Sequence, residues 1–481
     1  MSTIESAPSA FAPSRSPYLE GGYAPIQREI VAGGLEIAGE LPRDLSGIFV
    51  RTGSNPRFHP IGQYHFFDGD GMLHAVHFED GQATYRNRWV RTEGLAADLA
   101  AGRALSTGIL ERPDYRRPDG PYKDTANTDL VFHAGQLLAL WWLSGKARVV
   151  RLPDLETLGN QTWGGHLVRS ISAHPKVDPR TGEMVVFDYS PRPPYQTFGV
   201  VSAAGELVHH AEVELPGPRL QHDIAYTERF TLLFDMSLQP DSGRRASGEM
   251  PLVMRRDSPS RIGVVPRFGS NADVRWFEVA PFFMYHVVNA WEEGETIVLV
   301  GCRIPEPLSG SGNRRGAPLL GNLSIAPFFH RWRLDLATGD AREEMLDDVL
   351  TEFPRMNDAL LGQRSRYSYH PRLAASENFL FDALIRYDLE GGAPAIHEYP
   401  RGWYGGEVSF AARNGGSGAE DDGYLLTFVQ EEATGCSELH VLDAADVAAP
   451  ARARIAIPQR VPTGYHTRWV AAADLGRQRP L

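Results

Sequence analysis

From Gly34 onward, short runs rich in Val, Leu, Phe and Tyr alternate with Asp-Gly, Ser-Gly, Thr-Gly and Pro breaks. Punctuation this dense leaves little room for long helices, and the runs have the length and composition of strands. Residues 34–41 alternate and stop at Pro42; residues 47–51 run into the turn cluster 52–56. Residues 64–68, the Gly-Asp-Gly at 69–71 and residues 72–79 read together as a β-hairpin. Further strands are predicted over 136–140, 183–189, 230–234, 296–301, 379–385 and 423–429. Only 95–105 and 341–350 carry a helical pattern. The 48 glycines and 35 prolines are spread along the chain, with no dividing linker, and residues 111–123 read as a polar loop. No strict repeat of ~40–50 residues marks a propeller by itself. The 481 residues therefore read as a flexible leader, 1–20, followed by one large all-β domain, 21–481.

Bulk charge removes some functions. Lys and Arg total 48 against 60 Asp and Glu, a net charge of −12, which argues against a nucleic-acid footprint. Cys302 and Cys436 are the only cysteines, expected as two reduced, buried thiols rather than a disulfide framework. The N-terminus lacks the cationic start and apolar core of a secretory signal. The apolar run at 137–143 is far below the ~20 residues that span a bilayer. A cytoplasmic protein is expected, with peripheral membrane contact left open.

Four histidines stand in similar surroundings: His174 before Pro175, His222 in Gln-His-Asp, His286 in Tyr-His-Val and His466 in Tyr-His-Thr. They lie 48, 64 and 180 residues apart. Local zinc motifs pair ligands within a few residues. These spacings suit a site assembled on the axis of a large β fold, one ligand per strand. Neutral imidazoles suit Fe, Zn, Cu and Ni. A lone histidine among the 16 is more often a hydrogen-bonded core or surface residue, so spacing alone does not decide the matter.

The flanking motifs do. Phe-Val-Arg-Thr-Gly-Ser-Asn-Pro (49–56), Phe-Asp-Gly-Asp-Gly-Met-Leu-His (67–74), Arg-Asn-Arg-Trp-Val-Arg-Thr (86–92), Ala-Asn-Thr-Asp (126–129), Ser-Ala-His-Pro-Lys-Val-Asp (172–178), Tyr-His-Val-Val-Asn-Ala (285–290) and Pro-Gln-Arg-Val-Pro-Thr-Gly-Tyr-His (458–466) follow one another in this order. The chain thereby resembles the carotenoid cleavage oxygenase family from about residue 18 to about residue 470. The resemblance implies a seven-bladed β-propeller, capped by helices and loops, with iron on the axis. His174, His222, His286 and His466 match the four iron ligands. Glu352 in Thr-Glu-Phe-Pro-Arg and Glu407 in Gly-Gly-Glu-Val match carboxylates that hold ligand imidazoles. In many relatives a third such Glu sits in the strand corresponding to 138–143. Here that strand reads Leu-Ala-Leu-Trp-Trp-Leu, and Trp142 takes its place. His222 then needs another acceptor, such as a backbone carbonyl or water.

The implied reaction uses Fe(II) and O2 to cleave a conjugated C=C bond into two carbonyl products, without external reductant. Consistently, no dinucleotide or phosphate-loop motif is present. The expected substrate is a small hydrophobic conjugated molecule positioned by apolar walls. Relatives that cleave stilbenoids read the phenol oxygen with a Tyr and a Lys; those positions fall on Trp89 and Trp141. Lys123 could supply a charge for a phenolate instead. Adjacent on one strand, Trp141 and Trp142 face opposite sides. If Trp142 fills space beside the iron, a short aryl alkene (phenylpropenoid, vinylphenol or stilbenoid) fits best. Trp at 89 and 141 also resembles the carotenoid-cleaving branch, which keeps carotenoids and apocarotenoids as the alternative. A non-catalytic propeller scaffold and a calcium-dependent propeller hydrolase are alternatives of other classes; the latter would need oxygen ligands on the axis.

Overall fold

The computed structural model describes residues 16–116, 120–166, 171–241, 243, 252–305, 308–309, 319–320 and 323–479. Seven antiparallel sheets form the blades of a propeller. Six follow one another along the chain, opening with Asp129–His133, Lys176–Val177, Ala225–Tyr226, Phe283–Glu293, Tyr367–Leu373 and Ser409–Ala412. The seventh joins both ends of the chain. Gly47–Ser54 pairs with the C-terminal strand Thr467–Ala471, from Gly47 opposite Ala471 to Arg51 opposite Thr467. Ile37–Gly39 pairs with Ala453–Ile457 of the preceding blade, so N-terminal strands also bind the last two blades together.

Strand composition follows position in the blade. The second and third strands, such as Thr296–Ile304, are almost wholly buried because neighbouring blades cover both faces. Outer strands such as Leu207–Glu214 alternate, one face packed and one solvated. First strands of neighbouring blades touch across the axis, which places their ends at the centre of the molecule.

Several expectations change. Residues 341–350 form an outer strand, not a helix: Ala341–Leu350 pairs with Phe328–Asp335 across a tight turn at Gly339, and that pairing overrides helix propensity. The hairpin predicted over 64–79 is displaced. Phe66–Asp68 is a 3-10 turn, and Gly71–Glu79 pairs instead with Gln82–Trp89 through Asp80-Gly81, both at positive φ as a two-residue hairpin demands. The helix is Glu93–Ala101, capped by the Thr92 hydroxyl and ended by Gly102 at φ +65°. At 138–143 the strand is only Gln136–Leu140, and the tryptophans lie in the turn after it. Of the leader, residues 1–15 lie outside the described residues. Residues 16–20 are packed: Tyr18 is buried and stacks on Phe66 at 5.3 Å. Cys302 is buried and burial pushes its thiol up, but Cys436 is exposed, because it sits in the turn leading into Ser437–Asp443. No helix among the described residues is long and apolar enough to cross a membrane.

Phe49 sits at the closing junction, fully buried and 5.3 Å from the Phe428 ring of the preceding blade. Phe49→Ala should cost about 3–5 kcal/mol by denaturant unfolding. A cost below 1 kcal/mol would mean the ring closes without this contact.

Candidate metal centre

Each of the seven blades delivers one polar side chain to the axis. Asp129 opens its strand, and His174 and His222 stand just before theirs. His286 lies within Phe283–Glu293, where the register shifts between Met284 and Val287. Glu352 follows Thr351, which bridges to Arg372 of the next blade's first strand. Glu407 and His466 precede Ser409–Ala412 and Thr467–Ala471. Around the ring the order is therefore Asp129, three histidines, two glutamates and His466.

The four imidazoles converge. One nitrogen from each falls within 4.8 Å of the others, and all four residues are buried. His174 Nε2 and His222 Nε2 are 3.1 Å apart. The His466 Nδ1–H donates to Glu407 Oε1 at 2.9 Å, and the His286 Nδ1–H donates to Glu352. This fixes each ring with its Nε2 lone pair turned inward. Asp129 Oδ2 accepts the backbone N–H of His174 at 3.0 Å and lies 3.6 Å from its Nδ1. His174 itself sits at φ +69°, a conformation an L-residue holds only when its surroundings impose it, and the Asp129 bond is part of that constraint. His222 Nδ1 has no hydrogen-bond partner among the described residues. Of the two substitutes expected for the missing carboxylate, a backbone carbonyl or a water, no carbonyl reaches it among the described residues.

Electrostatics favour neutral, metal-competent rings. Burial, and then the neighbouring imidazoles, hold His174, His222 and His286 well below the usual histidine range. Burial pushes the Glu352 carboxyl up to about 8. Burial opposes ionisation of Glu407 too, but His466, Arg355 and its hydrogen bonds hold it below the ordinary carboxylate range. His286 Nε2 is a buried acceptor with no partner. An orphaned lone pair facing three other imidazoles fits a transition-metal ion bound by nitrogen alone.

Above the imidazoles lies a cavity walled by Phe66, Phe67, Phe353, Phe379, Tyr285 and Tyr465 with Thr128, Trp142, Glu352 and the rings of His222, His286 and His466. Trp142 does stand beside His222, ring centres 6.0 Å apart. Trp141 faces away into a second cavity that also borders Phe67. Lys123 lines that second cavity and is neither a free reader of substrate nor a solvated loop lysine. It is buried between Asp70 and Asp98, at 2.5 and 2.6 Å. Trp89 lines neither cavity; its indole N–H donates to the Asn55 carbonyl at 2.9 Å. Sequence reasoning missed Asp129 and Thr128, although both lie in the quoted Ala-Asn-Thr-Asp motif. Thr128 spends its hydroxyl on Asn127 and on the Trp142 N–H.

A raised carboxyl lowers stability as pH rises. Between about 4.5, its ordinary value, and about 8, Glu352 holds its proton in the folded protein and loses it on unfolding. Metal-free protein should therefore lose stability across that window, and Glu352→Gln should flatten the slope. Parallel pH profiles of unfolding for the two proteins would sink the assignment.

Residues 23–471 match the family model described as retinal pigment epithelial membrane protein. The chain is 34% identical to a carotenoid 9,10(9',10')-cleavage dioxygenase of Crocus sativus, over 96% of this chain and 90% of that one. It is 32% identical to a carotenoid cleavage oxygenase of Mycobacterium tuberculosis, covering 95% and 98%. Among solved structures, a lignostilbene dioxygenase of Pseudomonas brassicacearum superposes with a TM-score of 0.85 at 29% identity, covering 96% of this chain and all of that one. An apocarotenoid oxygenase of Synechocystis gives 0.83 at 26% identity, covering 94% and 98%. With the family model spanning nearly the whole propeller and four histidines meeting on its axis, the chain belongs to the carotenoid cleavage oxygenase family.

Proposed function

We propose that the protein is an Fe(II)-dependent dioxygenase that cleaves a conjugated double bond of an apolar polyene, a carotenoid or apocarotenoid, into two carbonyl fragments. The observation that carries this reading is an aromatic cavity set directly on four buried imidazoles. Among the described residues lining it there is no lysine or arginine, and its one carboxylate already accepts from His286. Such walls suit a hydrocarbon better than a phenolate. This reverses the preference for an aryl alkene, since Lys123 is engaged elsewhere and Trp89 lies outside the cavity.

His174, His222, His286 and His466 would hold the iron, which supplies the redox chemistry that turns O2 on the alkene. The other side chains orient and dry the site. Glu352 and Glu407 fix two ring orientations, and Asp129 fixes the backbone of a third. Tyr285 stands edge-on to His222 at 4.8 Å. Phe353 lies 4.8 Å from both His286 and His466, so aromatic surface covers the imidazoles on the cavity side. Close-packed apolar walls exclude water and leave the polyene little freedom to turn.

A second reading, a short aryl alkene, is favoured by Trp142, whose indole occupies cavity wall beside His222. Incubating iron-loaded protein with an apocarotenal, a hydroxystilbene and a vinylphenol separates the two. Aldehyde from the apocarotenal is expected; aldehyde from the phenolic substrates alone would reverse the assignment. Trp142→Ala should extend activity to longer substrates, and an unchanged range would remove its role in setting length. His286→Ala should lower iron from about one per chain to near zero with far-UV circular dichroism unchanged. Full iron retention in that variant would refute the four-histidine site.

A further inference from the structure

Just below the imidazoles lies a layer of charge that ligand binding does not require. Lys176 opens its strand two residues after His174, and Arg468 lies in its strand two residues after His466, so each cation follows its ligand closely along the chain. Lys176 Nζ meets Asp223 Oδ1 at 2.6 Å, with only 16% and 2% of the two side chains exposed. Asp223 follows His222 directly, and its other oxygen accepts the N–H of Val287, the residue after His286, at 2.8 Å. A single ion pair thus joins the backbones of three ligands. Arg468 continues the layer: its Nη1 meets Asp358 at 2.5 Å and its Nε donates to the Leu130 carbonyl, beside Asp129, at 3.1 Å.

The layer also has a sign. Lys176, Arg355 and Arg468 face the carboxylates Asp129, Asp223, Asp358 and Glu407, so negative charge is in excess beneath the imidazoles. Lys176 is the cation whose field reaches His174, His222 and His286 together. At low effective dielectric, one charge this close to a metal biases its oxidation state.

We infer that Lys176 is a positioning residue for the metal: through Asp223 it holds three ligand segments in register, and its charge disfavours oxidation of the bound iron from Fe(II) to Fe(III). The inference rests on the four-histidine iron site proposed above. Redox titration of iron-loaded protein tests it, with iron content and circular dichroism as controls. Lys176→Met should raise the Fe(III)/Fe(II) ratio at a given applied potential about tenfold, a fall of about 59 mV for one electron. Asp223→Asn, which removes the opposite charge and keeps an acceptor for Val287, should move the potential the other way. Lys176→Arg should restore the wild-type value. If Lys176→Met fails to fold, the upward shift in Asp223→Asn decides alone. Iron-loaded wild type with unmoved potentials in the variants that fold would reduce the pair to a structural tie and overturn the inference. Wild-type protein that takes up no iron would instead overturn the four-histidine reading, and this inference with it.

Discussion

An imidazole can serve as a rigid metal ligand only if its far nitrogen, or its backbone, is held from behind. This requirement organises the axis. A propeller of seven blades offers seven inner positions, and four histidines leave three. Glu352 stands behind His286, Glu407 behind His466, and Asp129 holds the N–H of His174. Each carboxylate comes from a blade adjacent to the histidine it serves. His222, the remaining ligand, stands between two other histidine blades, and no neighbour has a position to spare for it.

The cavity side obeys a different constraint. The same rings that must be held from behind must be kept dry in front, and Tyr285, Phe353 and Trp142 do this with aromatic surface rather than hydrogen bonds. Polar support and aromatic cover thus meet the same four imidazoles from different directions. On the support side Lys176, Arg355 and Arg468 counter the carboxylates.

Much of this was legible in the sequence because the chemistry is carried by short local motifs. His174, His222, His286 and His466, with Glu352 and Glu407, could be read position by position and now stand together on the axis. What could not be read depends on which blades become neighbours. Asp129 acts through a backbone N–H in the next blade, a bond with no local signature. Lys123 was visible as a charge in a loop, but its partners Asp70 and Asp98 lie 53 and 25 positions away and meet it only in the folded chain. Ala341–Leu350 carries helix-forming residues and becomes a strand because Phe328–Asp335 offers it a ladder. The alternation of Trp141 and Trp142 was read correctly as facing two ways, though they occupy a turn and open onto two different cavities.

The strand that closes the propeller also begins with a ligand. His466 immediately precedes Thr467–Ala471, and that strand finds its partner in Gly47–Ser54, more than 400 residues earlier. A chain lacking this last segment has neither a closed ring nor a fourth imidazole. A metal ion could therefore be held by all four imidazoles only after the last blade has joined the first; before that the axis offers three. Topology thus makes full coordination a record that folding has finished.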